Sequence, residues 1–338
     1  MNVSELTLAL MNIPSVSGDE KAVADYLGGY LTALGWTVEL QSVSDTQSNV
    51  IAHLNGNPRV VFSTHIDTVP PHIPPTEDDA KIYGRGSCDA KGIIAAQITA
   101  AERLRSDGIE DLGLLYTVEE ERASIGAKAA NEHPLAAKCE YLINGEPTDN
   151  DLAIGSKGSM RVVIRTTGKA GHSAYPETGE SAIDKLLDIL EDIRRLVLPK
   201  DEFFGDSTLN IGVLSGGVGS NVIAPSAEAA LHIRMVTPLE PIMELLEAAV
   251  DGRGEIDVQS CSLPVRMVEV EGFRQKVVRF TTDIPYLTNW GKPLLLGPGS
   301  ILDAHTKHEF VLKKDLDEAV ELYRSLAMNL LTKRNEPQ

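Results

Sequence analysis

Basic residues are in short supply in this chain. Over 338 residues, 31 Lys and Arg stand against 49 Asp and Glu, for a formal net charge of −18 and a pI near 4.9. Binding to nucleic acid draws on clustered Lys and Arg that release phosphate counterions. No such cluster occurs, so nucleic acid is excluded as a partner, and an anionic membrane surface with it. Cysteine is equally scarce. Cys88, Cys139 and Cys261 cannot all pair and none sits in a C-x-x-C spacing. That excludes a disulfide framework and a zinc finger, and points to a reducing compartment. No apolar run approaches the ~18 residues of a membrane span. The start, Met1 to Glu5, has neither the basic nor the apolar region of a secretory signal. Cytoplasm is the expected location.

Hydrophobic residues, at 42%, suffice for a sizeable core, and at about 150 residues per domain the length predicts two domains. Residues 18–34 carry Val23, Tyr26, Leu27, Tyr30, Leu31 and Leu34 at helical spacing before Gly35. Trp36–Val43 and Asn49–Leu54 read as strands, and Asn55-Gly56 as a hairpin turn into Arg59–Thr64. A helix over Gly92–Ser106 and strands at Leu112–Val118 and Tyr141–Asn144 continue an α/β layer with several parallel strands. From about Ser159 the pattern changes. Met160–Thr166 alternates like a half-exposed strand. Ala182–Val197 places Ile183, Leu186, Leu187, Leu190, Ile193 and Leu196 on one helical stripe. Strands at Leu209–Leu214 and Ala227–Val236 and a helix at Ile242–Val250 complete a self-contained α+β unit. The chain then returns to strand, glycine-rich loop and a C-terminal helix striped by Leu316, Val320, Tyr323, Ala327 and Leu330. The simplest account is one domain interrupted by a smaller inserted one.

Five short segments place metal-type ligands at strand ends. In Ser63 to Pro70, His65 and Asp67 lie two apart in an extended chain and face the same way, so a metal-binding imidazole could be oriented by the carboxylate. A lone H-x-D is more often a polar strand end. Asp89, in Gly84–Gly92, is either a helix N-cap or a carboxylate shared by two cations. Glu119-Glu120-Glu121 follow an apolar strand. Desolvated carboxylates resist ionisation unless cations compensate, and a dinuclear site with one Glu as ligand and a neighbour as general base resolves the conflict. Glu146, in Asn144 to Thr148, is either an ordinary turn or a fourth contributor. Gly297-Pro298-Gly299-Ser300 leads to His305, which alone would be a solvated loop histidine. His308 lies near that segment and is read as ordinary, as are His53, His72, His133 and His232, which stand beside no carboxylate motif. Two His and three carboxylates on one α/β layer match what a two-metal hydrolase needs. The mixed donors suit two divalent ions, Zn²⁺ first, with Co²⁺ or Mn²⁺ as substitutes. The lack of thiolates argues against a purely structural zinc.

In these residues and this order the chain resembles the M20 metallopeptidase family, nearest its acetylornithine deacetylase, succinyl-diaminopimelate desuccinylase and acetyl-lysine deacetylase members. The resemblance covers nearly the whole chain: His65-Ile66-Asp67, Gly84–Gly92, the Glu triplet with Gly126-Ala127, Gly145 to Thr148, Gly171-His172-Ser173, Asn221-Val222-Ile223 and Gly297–His305. It implies an α/β fold: a zinc-peptidase-like catalytic domain with a mixed sheet flanked by helices, over 1–158 and 273–338. An inserted α+β (ferredoxin-like) dimerisation or lid domain would occupy 159–272. The segment between that insertion and His305 is shorter than in many members. Implied roles follow. His65 and Glu146 hold one metal, Glu121 and His305 the other, and Asp89 bridges. Counting back from Gly126-Ala127 makes Glu120 the base and Glu121 a ligand. Asp67 steadies His65, and the Asp89–Ala90 peptide is expected to be cis. In relatives the inserted domain makes a homodimer, and the histidine matching His172 stabilises the oxyanion in the partner's active site. Asn221 and Arg234 match substrate-binding positions, Arg234 gripping a carboxylate with its two-pronged fork, assisted by the backbone of Gly299 and Ser300.

The expected activity is hydrolysis of an N-acyl amino acid amide. Thr117 to Glu121 and Gly145 to Thr148 look most like the acetylornithine and acetyl-lysine branch. A body at −18 would repel an acidic carrier protein, which favours free N-acetylornithine, in arginine biosynthesis. The alternatives are N-succinyl-diaminopimelate, N-acetyl-lysine, acetylcitrulline and a dipeptide. A non-catalytic binding protein of the same fold would lack the base or a ligand, and none is missing.

Overall fold

The computed structural model describes residues 1–332. Residues 333–338, which the expected catalytic domain includes, lie outside the described residues. In chain order the elements that matter are α1 (Val3–Met11), α2 (Lys21–Ala33), β1 (Thr37–Ser44), β2 (Gln47–His53), β3 (Val60–His65), α3 (Lys91–Ser106), β4 (Leu112–Thr117), α4 (Ile125–Asn131), β5 (Tyr141–Asn144) and β6 (Leu152–Ser156). Then follow β7 (Gly158–Thr167), α5 (Ala182–Arg194), β8 (Thr208–Gly216), β9 (Ser226–Met235), α6 (Leu239–Val250) and β10 (Glu255–Ser262), and finally β11 (Lys292–Leu295) and α7 (Lys313–Thr332).

The chain divides into two compact units. One comprises Met1–Ile154, Met267–Lys276 and the chain from Thr282; the other comprises Gly155–Arg266 and Val277–Thr281. Against the expected insertion at 159–272, the second unit starts and ends earlier and takes a short later segment. Pairing explains this: Val265 and Arg266 are in register with Ser156 and Gly155. The later segment is held by Arg234, which donates to Thr281 Oγ1 at 2.7 Å.

The first unit is a mixed sheet in the order β1-β2-β4-β3-β5-β11, with β6 beside β11. β2 is antiparallel to both of its neighbours, β1 and β4, whereas β4, β3, β5 and β11 run parallel. The expected Asn55-Gly56 hairpin does not form, because β4 lies between β2 and β3. The tight turn falls earlier, where Ser44 pairs with Gln47. Every residue of β3 and of β4 is buried, as parallel strands covered on both faces must be, so β3 needs a neighbour on each side. Helices supply the cover. α3 is buried around most of its surface and packs on α1 and α7, while Phe62 of β3 meets Tyr323 of α7 edge to face at 5.5 Å. The stripe of α7 is buried throughout. α1 went unanticipated. It starts with a capping box, Asn2 accepting from Glu5 N–H and Glu5 from Asn2 N–H, which satisfies two end donors at once.

The second unit follows βαββαβ order, with β7-α5-β8-β9-α6-β10 forming an antiparallel sheet ordered β8-β9-β7-β10. This is the ferredoxin-like arrangement. Met160, Val162, Ile164, Leu231 and Ile233 pack with Leu186, Ile189, Ile193, Ile242 and Leu246 of the helices in a core of their own. Leu187, expected on the buried stripe, is 49% exposed; Ile189 fills the core instead. The other sheet face carries most of the polar residues of β7 and β9, interrupted by Val163, Ala230 and Val213 in one register row.

Candidate metal centre

Parallel strands end on the same edge of a sheet, and in open α/β sheets ligands gather beyond the carboxyl ends. His65 is the last residue of β3, Glu119–Glu121 follow β4, Glu146 follows β5, and the loop after β11 carries Gly299, Ser300 and His305. Asp89 comes from the loop entering α3, and its peptide bond to Ala90 is cis. The topology alone thus delivers these side chains to one edge.

Their geometry centres on Asp89, which is buried. Its Oδ1 lies 2.9 Å from His65 Nε2, and its Oδ2 lies 3.2 Å from His305 Nε2. On the first side, Glu146 Oε2 is 4.0 Å from His65 Nε2. On the second, Glu121 Oε1 is 2.8 Å from His305 Nε2. His65, Asp89 and Glu121 each offer a ligand atom within 4.8 Å of the others. His305, half exposed at 49%, closes the cluster from a left-handed backbone conformation, φ 63°.

Charge decides what this pocket can hold. Burial first, and then the Glu146 carboxylate, push Glu120 well above the usual carboxylate range. Burial and the neighbouring acids raise Glu146 and Glu121 as well. Burial pushes Asp283 up to about 6 despite a 2.7 Å hydrogen bond from Thr117 Oγ1. Asp89 goes the other way. Burial opposes its ionisation, but bonds to His305 and His65 outweigh that and hold it low. His305 is lifted to about 10 by its bonds to Asp89 and Glu121. Five carboxyls crowd two imidazoles, four of them resisting ionisation. Divalent cations would resolve this excess, and the donors, imidazole nitrogen and carboxylate oxygen, are those zinc takes.

Supporting residues fix the ligands in place. His65 Nδ1 lies 3.0 Å from the Asp67 main-chain oxygen and 3.3 Å from its carboxylate. That carboxylate also accepts from Ser17 Oγ at 2.7 Å and from the N–H groups of Glu120 and Glu121 at 3.1 and 3.3 Å. Asp67 therefore ties the end of β3 to the glutamate loop. The Asp89 loop is clamped by Glu309, whose carboxylate accepts from the N–H groups of Gly86, Cys88 and Asp89 and pairs with Arg85. Gly299, at φ 82°, leaves no room for a side chain, since a Cβ would sit 2.5 Å from Cys88 Cβ. Ser17, Asp283 and Glu309 were not anticipated. Each is distant in sequence from what it holds, and only the sequence neighbourhood of Glu309, four residues after His305, hints at a role.

The remaining expected site residues divide between the units. Ser300 is half-buried and in register with Thr148. His172, Asn221 and Arg234 belong to the second unit. His172 is exposed on a loop bridged to Val222, and its Nδ1 accepts from Ala174 N–H at 3.1 Å. That bond leaves the proton on Nε2. Asn221 is exposed and Arg234 half-buried.

A mixed sheet whose parallel strand ends converge on two histidines and several carboxylates defines a metal-dependent hydrolase acting on amide or peptide bonds. The family is specific. The model of Peptidase family M20/M25/M40 matches residues 61–329, and this chain belongs to that family. A Peptidase M20 domain-containing protein of Schizosaccharomyces pombe is 41% identical over 97% of this chain and 84% of its own length. A probable carboxypeptidase of Aspergillus clavatus is 35% identical over 96% and 88%. Among solved structures, an M20 family metallo-carboxypeptidase of Sulfolobus solfataricus shares the fold at TM-score 0.78, with 18% identity over 97% of this chain and 99% of that one. No helix among the described residues is long and apolar enough to cross a membrane.

Proposed function

We propose that this chain hydrolyses an N-acylated or N-peptidylated amino acid at the amide next to a free α-carboxylate, using two divalent ions, zinc first with cobalt as substitute. The observation that supports it most is the divided Asp89 carboxylate, one oxygen facing His65 and the other His305. His65 and Glu146 would hold one ion and Glu121 and His305 the other, with Asp89 shared. When bound, such ions polarise a scissile carbonyl and lower the pKa of a water.

The chain's own groups do the rest. Glu120, next in the chain to the ligand Glu121, takes the proton of the attacking water and returns it to the leaving amine. Asp67 holds His65 and the Glu120 main chain in register. Arg234, Asn221 and the backbone of Gly299 and Ser300 hold the substrate. His172 presents Nε2–H to the oxyanion, acting across a homodimer built through the second unit, in the partner subunit's active site.

N-acetylornithine is the free-acyl candidate suggested by the motifs, whereas the names of the relatives support a peptidyl substrate. Purified protein loaded with Zn²⁺ or Co²⁺ decides between them, assayed on N-acetylornithine, N-succinyl-diaminopimelate, N-acetyl-lysine and a dipeptide panel. At least one is expected to turn over, and its α-carboxamide counterpart to be at least tenfold poorer. Equal turnover of the carboxamide, or none of any compound, would refute this reading.

A further inference from the structure

Residues 12–20, which join α1 to α2, run alongside the chain that leaves β3. Val16 is bridged in parallel to Thr68. Thr68 N–H donates to the Ser15 main-chain oxygen at 2.9 Å, and Ser17 N–H to that of Thr68 at 3.2 Å. Residues two apart in an extended segment face the same way, and Ser15 and Ser17 both turn towards Ile66 and Asp67. Their partners differ in kind. Ser15 Oγ donates to the Ile66 main-chain oxygen at 2.7 Å, whereas Ser17 Oγ donates to Asp67 Oδ2, also at 2.7 Å.

Both ends of this segment are held from within the first unit. At its start, Lys91 Nζ donates to the Ile13 main-chain oxygen. At its end, Glu20 Oε1 accepts from Gly18 N–H at 3.0 Å and from Gln47 Nε2 at 3.3 Å. Ser15, Ser17, Glu20, Gln47, Asp67 and Lys91 are all buried. Backbone bonds and buried side chains thus set the position of the Ser17 hydroxyl.

The Asp67 carboxylate divides its two oxygens. Oδ1 lies 3.3 Å from His65 Nδ1 and accepts from Glu120 N–H at 3.1 Å. Oδ2 accepts from Ser17 and, at the longer distance of 3.3 Å, from Glu121 N–H. The hydroxyl makes the shortest of these bonds, and a carboxylate acceptor strengthens it. Without it, Oδ2 keeps a single long bond in a buried place, where an under-satisfied charge is costly. The carboxylate would then turn to share its remaining donors, and Oδ1 would leave the imidazole. Partners behind a ligand histidine fix its orientation and its basicity.

We propose that Ser17 is a positioning residue for His65: its hydroxyl holds the Asp67 carboxylate at the angle that aims the imidazole at a divalent ion. The inference rests on the two-ion reading above. Ser15 is the internal control. It sits on the same segment, is likewise buried and makes a bond of the same length, but that bond reaches only the main chain.

Zinc affinity of the full chain, measured by competition with a chromophoric chelator, tests it. Loss of a direct partner of a ligand histidine weakens metal binding by about 10–100-fold. Ser17 stands one bond further out, so Ser17→Ala is expected to weaken zinc binding by about five- to thirtyfold. Ser17→Cys, whose thiol is a weak donor, should do the same and serves if the alanine variant folds poorly. Ser17→Thr, which keeps a hydroxyl, should stay within about twofold of the unaltered chain. Ser15→Ala should lower the melting temperature of metal-free protein and leave zinc affinity unchanged. In an Asp67→Asn background, Ser17→Ala should weaken zinc binding no further, because its route to His65 is gone. Unchanged or tighter zinc binding in Ser17→Ala and Ser17→Cys would overturn the proposal and leave the hydrolase reading standing. An equal loss in Ser15→Ala, or additive losses in the double variant, would overturn it too. Ser17-dependent zinc binding without turnover of any amide would support the positioning role and refute the hydrolase. An unaltered chain that takes up no zinc would refute both.

Discussion

The two units treat ionisable side chains in opposite ways. The first collects Asp89, Glu120, Glu121, Glu146 and Asp283 at the end of its sheet, where burial and mutual repulsion resist the ionisation of all but Asp89. The second builds a plain amphipathic layer, with apolar residues against α5 and α6 and charges on the outside.

The largest effect should come from Glu120→Gln, which removes the proton carrier and nothing else. A loss of about 10²- to 10⁴-fold in kcat/KM is expected, with metal content unchanged by elemental analysis; retained activity would make Glu120 structural. Chelation is the next test and the most direct on the comparison. Ligand present at 1,000 times its dissociation constant stabilises by about 4 kcal/mol. Scanning calorimetry should therefore show the first unit's transition falling on metal removal while the second's stays in place. Equal shifts would erase the distinction.

Leu186→Ala probes the other side. Deleting that buried side chain should cost about 2–5 kcal/mol, confined to the second unit's transition and invisible in metal titrations. Asp283→Asn is subtler. An acid raised to about 6 in the fold but near 4 when unfolded weakens the fold above pH 6. That penalty fades as pH falls between the two values. The substitution should raise the melting temperature of metal-free protein at pH 7–8 and leave it unchanged near pH 4. Smallest are the caps. Asn2→Ala in the first unit and Ser181→Ala in the second each remove a side-chain acceptor at a helix start, worth about 1 kcal/mol, and each should register only in its own transition.

Legibility followed distance along the chain. His65, Asp67, Asp89, Glu120, Glu121, Glu146 and His305 could be found because each lies beside a strand-end or loop signature a few residues long. The alternation of Met160–Thr166 and the stripe of α7 were legible for the same reason. Strand order was not: Asn55-Gly56 is a good local turn signal, yet burial of β3 on both faces decided its neighbours. Ser17, Asp283 and Glu309 act on partners dozens to hundreds of residues away, and no local pattern announces that.

The grip of Glu309 on the loop from Gly86 to Asp89 joins positions 220 to 223 residues apart. Ribosomal synthesis runs from one end, so the catalytic pocket cannot close until almost the last helix has emerged. Gly155–Arg266, nearly contiguous, can settle much sooner, and long-range closures of this kind are slow. A nascent chain halted before residue 309 would thus carry a finished satellite and an unassembled reaction centre.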